Sequence, residues 1–185
     1  GAKAANLARM AQLGLPVPAA LVLGTAYSRV GTEQIRNALA ATLPSLESLT
    51  GAVLGEPSRP LIVSVRSGAP VSMPGMLETL LNIGLCDATV SGLLRRTGNP
   101  RLVWDSYWRL VASYAETVMG LDPAPFDAEL ARALDGRVES DLDFSELPDL
   151  TRSFRSIYRS LANVDFPQSA RDQLHGAVLA VHRSW

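Results

Sequence analysis

Residues 61–84 read LIVSVRSGAPVSMPGMLETLLNIG. The stretch opens as an apolar, β-rich run from Leu61 to Val65 and reaches Arg66. It then crosses a Gly/Ser/Pro segment from Ser67 to Gly75 and returns as a second apolar run, Met76 to Leu85. This pattern predicts two strands joined by a loop with an arginine at its mouth. Small residues let backbone N–H groups come close to an anion, and a guanidinium offers planar donors to phosphate oxygens. The plainer reading is a surface arginine at a strand end and an ordinary hairpin loop, since Gly and Pro are what any turn needs. The loop is not a Walker A sequence, because no lysine follows Gly75, and it is not the dinucleotide fingerprint. At this level both readings stand.

Upstream, Ala4, Leu7, Ala8 and Ala11 recur at helical spacing, so residues 1–13 read as a turn into a short helix stopped by Gly14. Leu15-Pro16-Val17-Pro18 is a stiff extended connector. Leu21 to Gly24 reads as a short strand. Thr25 caps a brief helix around Ala26 to Val30, and Thr32 caps another through Ile35, Leu39 and Leu43. Pro44 then opens a loop that runs to Arg59.

Downstream of Gly84 the pattern turns helical. Ala88 to Thr97 is a helix stopped by Gly98-Asn99-Pro100. Val103, Tyr107, Leu110, Val111, Tyr114 and Val118 mark the clearest helix, ended by Gly120. Phe126 to Leu134 is a further helix, and Glu139 to Asp143 an acidic, solvated loop. Leu147, Leu150, Phe154, Ile157, Tyr158 and Leu161 mark the next helix. Ala170, Leu174, Ala177, Val178 and Val181 mark the last. The fold class is therefore α/β (α+β), with strands confined to the first half. No internal repeat is present.

The composition narrows the function classes. With 185 residues and 47% hydrophobic content, the chain reads as one domain, or one domain with a lobe. A net charge of -1 gives no support to a nucleic-acid binder. No apolar run approaches the ~18 residues of a membrane span. The single cysteine, Cys86, makes no intramolecular disulfide, which fits a cytoplasmic setting. It has no histidine nearby in sequence and is expected away from any helix start, so it is not read as a nucleophile. His175 and His182 lie seven apart on the last helix and are read as structural or exposed. No zinc spacing and no nucleophile elbow occur. The chain starts without methionine and stops at the end of an amphipathic helix, so it reads as a fragment.

Three blocks, Gly1 to Ala8, Leu13 to Pro18 and Ser64 to Met76, closely resemble the N-terminal nucleotide-binding domain of the pyruvate phosphate dikinase family. Thr97 to Asn99, Trp104 to Tyr107, Asp165 to Gln168 and Arg183 to Trp185 also look like that family, in the expected order. The resemblance implies the first half of an ATP-grasp-like nucleotide-binding domain with an all-helical lobe. Residues 1–87, rejoined by 166–185, would form the α/β part, and 88–165 the lobe. It implies that Lys3 and Arg66 contact the phosphates of ATP, and that Ser67, Gly68, Ser72, Met73, Gly75 and Thr79 belong to the loop covering them. Arg109 would help dock the phosphohistidine domain of the same parent chain. The family uses ATP with Mg2+, whose ligands are expected in the second half of the domain. With no phosphohistidine motif around His175 or His182, no catalytic residue is expected in this stretch, and the fragment alone is expected to be inactive. The parent would be a cytoplasmic homo-oligomer with no nucleic-acid or membrane partner. Ala2, Ala4 and Trp108 depart from the family pattern without removing a phosphate ligand. A phosphoenolpyruvate synthase-like enzyme and a stand-alone nucleotide-binding or regulatory module are the alternatives.

Overall fold

The hairpin forms, and it carries an irregularity that the alternation of its residues demands. In the computed structural model, which describes residues 2–67 and 79–184, β1 (Val63–Val65) pairs antiparallel with β2 (Leu80–Ile83). Val63 faces Ile83, and Val65 faces Leu80, so two steps along β1 match three along β2. The extra residue is a bulge. Without it Leu80 and Ile83 would point to opposite faces; with it both are buried, at 1% and 0% exposure. The strain falls on Asn82, whose φ is +62°, a left-handed value that asparagine tolerates better than most residues. Its side-chain amide donates to the Ser106 carbonyl at 3.3 Å and fixes the bulge to the neighbouring helix.

Around this hairpin the chain is mostly helical: α1 Ala2–Gln12, α2 Thr32–Thr50, α3 Asp87–Thr97, α4 Pro100–Met119, α5 Ala124–Leu134, α6 Leu147–Ala162 and α7 Ala170–Arg183. Helix α4 is central. It packs against β2, α3, α6 and α7, and Val103, Tyr107, Leu110, Val111 and Ala115 are fully enclosed. Asn99 caps its start by accepting from the Leu102 N–H at 3.0 Å, and Gly120 ends it with φ +67°. Phe166 sits among Tyr107, Tyr114 and Tyr158, with ring centroids 5.5–6.3 Å away. One apolar core runs without a break from Leu43 to Ala177.

Polar groups lock the elements together at the turn after β2. Gln173 on α7 has no exposed surface. Its carbonyl oxygen accepts from the Gly84 N–H at 2.8 Å, and its amide donates to the carbonyls of Leu85 (2.8 Å) and Pro167 (2.7 Å). Gly84 has φ +108°, and a Cβ there would lie 2.7 Å from the Leu61 carbonyl oxygen, so no other residue fits. A second set joins four segments. Arg155 donates to both oxygens of Asp87, the Tyr107 hydroxyl donates to Asp87 at 3.0 Å, and the Gln168 amide donates to Tyr107 at 3.1 Å. Burial pushes the Tyr107 phenol well above its ordinary pKa, so it stays a donor.

Several local expectations are corrected. Leu21 to Gly24 forms no strand; the segment is irregular, and Leu21 alone packs on the core. Thr25 and Thr32 are first residues of their helices, capped by Gly24 and Gly31, and residues 25–29 form a 3-10 turn. Helix α2 does not stop at Pro44 but continues to Thr50. Proline there loses the bond its N–H would make to the Ala40 carbonyl, a cost of about 3 kcal/mol. Ile35, Leu39, Leu43 and Leu46 are all buried, each contributing roughly 1.5–3 kcal/mol, which outweighs it. Residues 139–143 are not simply solvated: they include a 3-10 turn, Leu142 is buried, and Arg101 donates to the carbonyls of Glu139 and Leu142. Cys86 does sit at a helix start. It is the N-cap of α3, and its N–H donates to the Thr89 hydroxyl at 2.9 Å. Its thiol is buried, so it acts as part of a turn.

Substitutions at two positions test this framework. Gln173→Leu leaves one buried N–H and two carbonyls unpaired and should lower the unfolding free energy by at least about 2 kcal/mol in equilibrium urea titrations. Asn82→Gly should be tolerated, whereas Asn82→Val should cost about 1–3 kcal/mol, because a β-branched residue is strained at that φ.

Candidate functional site

Strand β1 ends by presenting Arg66, which is exposed, beside Ser67, which is buried at 8% exposure. The Ser67 hydroxyl has no hydrogen-bond partner among the described residues. It adjoins a solvent-facing guanidinium at the mouth of the loop. The far end of the loop is Thr79, half-buried just before β2. Pairing of Val65 with Leu80 holds the two ends together. Gly68, Ser72, Met73 and Gly75 lie outside the described residues.

Thr79 also opens onto a cleft of ≈ 320 Å3 between β2, α4 and the start of α5, whose walls include Asn82, Trp108, Arg109, Glu116 and Asp127. Thus Thr79 and Arg109, distant in sequence, share one cavity, while Arg66 is not part of its lining. Arg109 is already engaged. Its Nε donates to Asp105 at 2.9 Å, its Nη2 donates to Glu139, and its guanidinium lies 4.3 Å over the Trp108 ring. Burial works against the charge, but the bonds to Asp105 and Glu139 outweigh it and hold the pKa above its usual value. The indole N–H of Trp108, itself 4% exposed, has no partner among the described residues. Periodicity places Trp108 beside the α4 core face, but no sequence signal gives its unpartnered N–H or the cavity, which depends on the bulge in β2.

Lys3 is on the first turn of α1. Every residue from Ala5 to Pro16 is exposed, and the Lys3 side chain lies outside what the structure describes. Tyr107, Asp165, Phe166 and Gln168, singled out by resemblance, stand in structural positions: Tyr107 and Gln168 in the Asp87 network, Phe166 in the aromatic nest, and Asp165 3.6 Å from Arg159 in an exposed ion pair. Among the described residues no group of three or more His, Cys, Asp and Glu could hold a metal ion, and no helix is long and apolar enough to cross a membrane.

No family model matches this chain. It is 39% identical to the pyruvate, phosphate dikinase of Clostridium symbiosum, 39% to pyruvate, phosphate dikinase 2 of Oryza sativa subsp. japonica and 39% to the pyruvate, phosphate dikinase of Rhizobium meliloti. Each match covers 100% of this chain and 22% of the relative, so the chain spans about a fifth of the length of these proteins. The resemblance expected from the motifs therefore extends across all 185 residues.

His175 on α7 supplies a pH test. Burial, then the nearby charge of Arg36, lowers its pKa from the ordinary 6.5. The folded state thus favours the neutral ring, and the unfolded chain binds the proton more readily. This contribution is complete above the unfolded pKa and is lost as pH falls through the folded one. NMR titration should place His175 below 6.5, and His175→Gln should flatten the loss of stability between about pH 7 and pH 5.

Proposed function

We propose that this chain, whose whole length matches the N-terminal region of pyruvate, phosphate dikinases, supplies one wall of an ATP site in a protein of that kind. The observation that carries the reading is the end of β1. There an exposed arginine and a buried hydroxyl, which has no partner among the described residues, stand at the mouth of a loop whose sequence resembles the family. The whole protein would interconvert ATP, phosphate and pyruvate with AMP, pyrophosphate and phosphoenolpyruvate through a phosphohistidine on another domain. Phosphoryl transfer of this kind asks the protein for positioning and for offset of developing charge. Arg66 would donate two parallel hydrogen bonds to phosphate oxygens, and Ser67 would add a hydroxyl donor. Lys3 would bring a second positive charge, and the backbone of the segment through Ser72, Met73 and Gly75 to Thr79 would follow the phosphate chain.

Among the described residues no group of three or more His, Cys, Asp and Glu could hold a metal ion, and the reading places the magnesium ligands in the second half of the domain. No step is assigned to the metal. Arg109 would face the phosphohistidine domain from the α4 side of the Thr79 cleft; there Asp105 and Glu139 already accept from its Nε and Nη2, and an anionic partner would compete with them for the guanidinium. Residues 1–87 with 166–185 would form the nucleotide-binding part, and 88–165 the lobe that carries the docking face. The parent is assigned to the cytoplasm, as a homo-oligomer.

In the full-length parent, Arg66→Ala should lower turnover about tenfold or more, because a charge-assisted bond is worth about 1.5–3 kcal/mol. Turnover should also require inorganic phosphate; activity undiminished in its absence would favour a phosphoenolpyruvate synthase-like reaction. For residues 1–185 alone, titration calorimetry should show weak ATP binding at best. Tight, magnesium-dependent binding by that stretch would overturn the one-wall reading.

A further inference from the structure

The bulge in β2 decides what stands across from Arg66. Counted from the Val63–Ile83 pair, a regular antiparallel ladder would set Val65 against Leu81 and Arg66 against Leu80. The observed partner of Val65 is Leu80, so the next step places Thr79 across from Arg66. A hydroxyl thus takes the place of a leucine beside the guanidinium. Bulges recur next to active sites because they re-aim side chains in this way. Alternation along the strands fixes the rest of the face. Val63 and Val65 turn toward the core, so Ser64 and Arg66 project together from the other side, and both are exposed. On β2 that side carries Thr79 and Leu81, while Asn82 is drawn aside to the Ser106 carbonyl. Ser64 is the one polar residue in the run from Leu61 to Val65.

We infer that this outer face of the hairpin, and not the loop mouth alone, seats a polyphosphate, with Ser64 as a donor beside Arg66 and Thr79. The inference rests on the reading of Arg66 as a phosphate ligand. Cross-strand neighbours lie about 5 Å apart, and same-face neighbours along one strand about 7 Å. Three donors on that spacing reach over more than one phosphoryl group. The face therefore suits the phosphate chain of ATP or pyrophosphate better than inorganic phosphate. A serine on the solvated side of a strand is otherwise ordinary, so selectivity among these substrates is what separates a binding role from a structural one.

Steady-state kinetics of the full-length parent test this. Ser64→Ala should raise KM for ATP and for pyrophosphate about tenfold, the loss of one hydrogen bond to a charged group. It should leave KM for inorganic phosphate and the unfolding midpoint of the parent unchanged. Ser64→Thr keeps a hydroxyl and suits a strand, so it should restore both raised values. Unchanged KM for ATP and pyrophosphate in Ser64→Ala would overturn the inference. So would an equal rise for inorganic phosphate, a lowered midpoint, or a threonine variant that behaves like alanine. If Arg66→Ala raises KM for ATP and Ser64→Ala does not, the extension along β1 fails and the proposed ATP site stands. If Arg66→Ala changes neither KM nor turnover, that proposal and this inference fail together.

Discussion

A single buried amide holds the two halves of the core in register. Gln173 reaches from the last helix into the turn after β2 and satisfies three backbone groups at once. Gly84 can turn only because it lacks a side chain, and Thr89 secures it from the other side by donating its hydroxyl to the Gly84 carbonyl at 2.8 Å. Helices α3 and α4 take their direction from that turn, and α4 in turn supports β2. A residue near the end of the chain therefore fixes the geometry of the hairpin that presents Arg66. Such long-range polar closure is favourable only when complete, since a half-satisfied buried amide costs more than an apolar replacement.

The helices from Asp87 onward could be read from periodicity because their apolar stripes are also their buried faces. Val103, Tyr107, Leu110, Val111 and Tyr114 were one stripe in sequence and are one buried face in the structure. Glycine stops at positions 98 and 120 worked for a simple reason: the left-handed C-cap is a local requirement. Pro44 misled because its local penalty is smaller than the burial of the leucines around it. Leu21 to Gly24 misled in the other direction, since a short apolar run needs a strand partner and among the described residues this one pairs with neither strand of the hairpin. The bulge in β2 was invisible because it arises from burying both Leu80 and Ile83, a tertiary demand.

At the candidate site, the sequence singles out Arg66 and its loop as candidates but says nothing of their surroundings. The burial of the Ser67 hydroxyl, which has no partner among the described residues, is a fact of three-dimensional enclosure. The shared cavity of Thr79 and Arg109 is likewise set by how α4 leans on β2. Motif residues divide accordingly. Phe166 and Gln168 build the frame, whereas Arg66 faces solvent with no structural duty among the described residues.

Pairing of Val65 with Leu80 gives the hairpin an independence that matters over evolutionary time. Once the strand ends are tied, the entropy of closing the intervening segment depends only logarithmically on its length, about 0.6 kcal/mol for each doubling. Composition and length between those posts can then drift while the Gln173 closure and the α4 core stay intact. A scaffold of this kind separates two kinds of selection: the frame is held by folding, and the loop is free to be shaped by whatever binds to it.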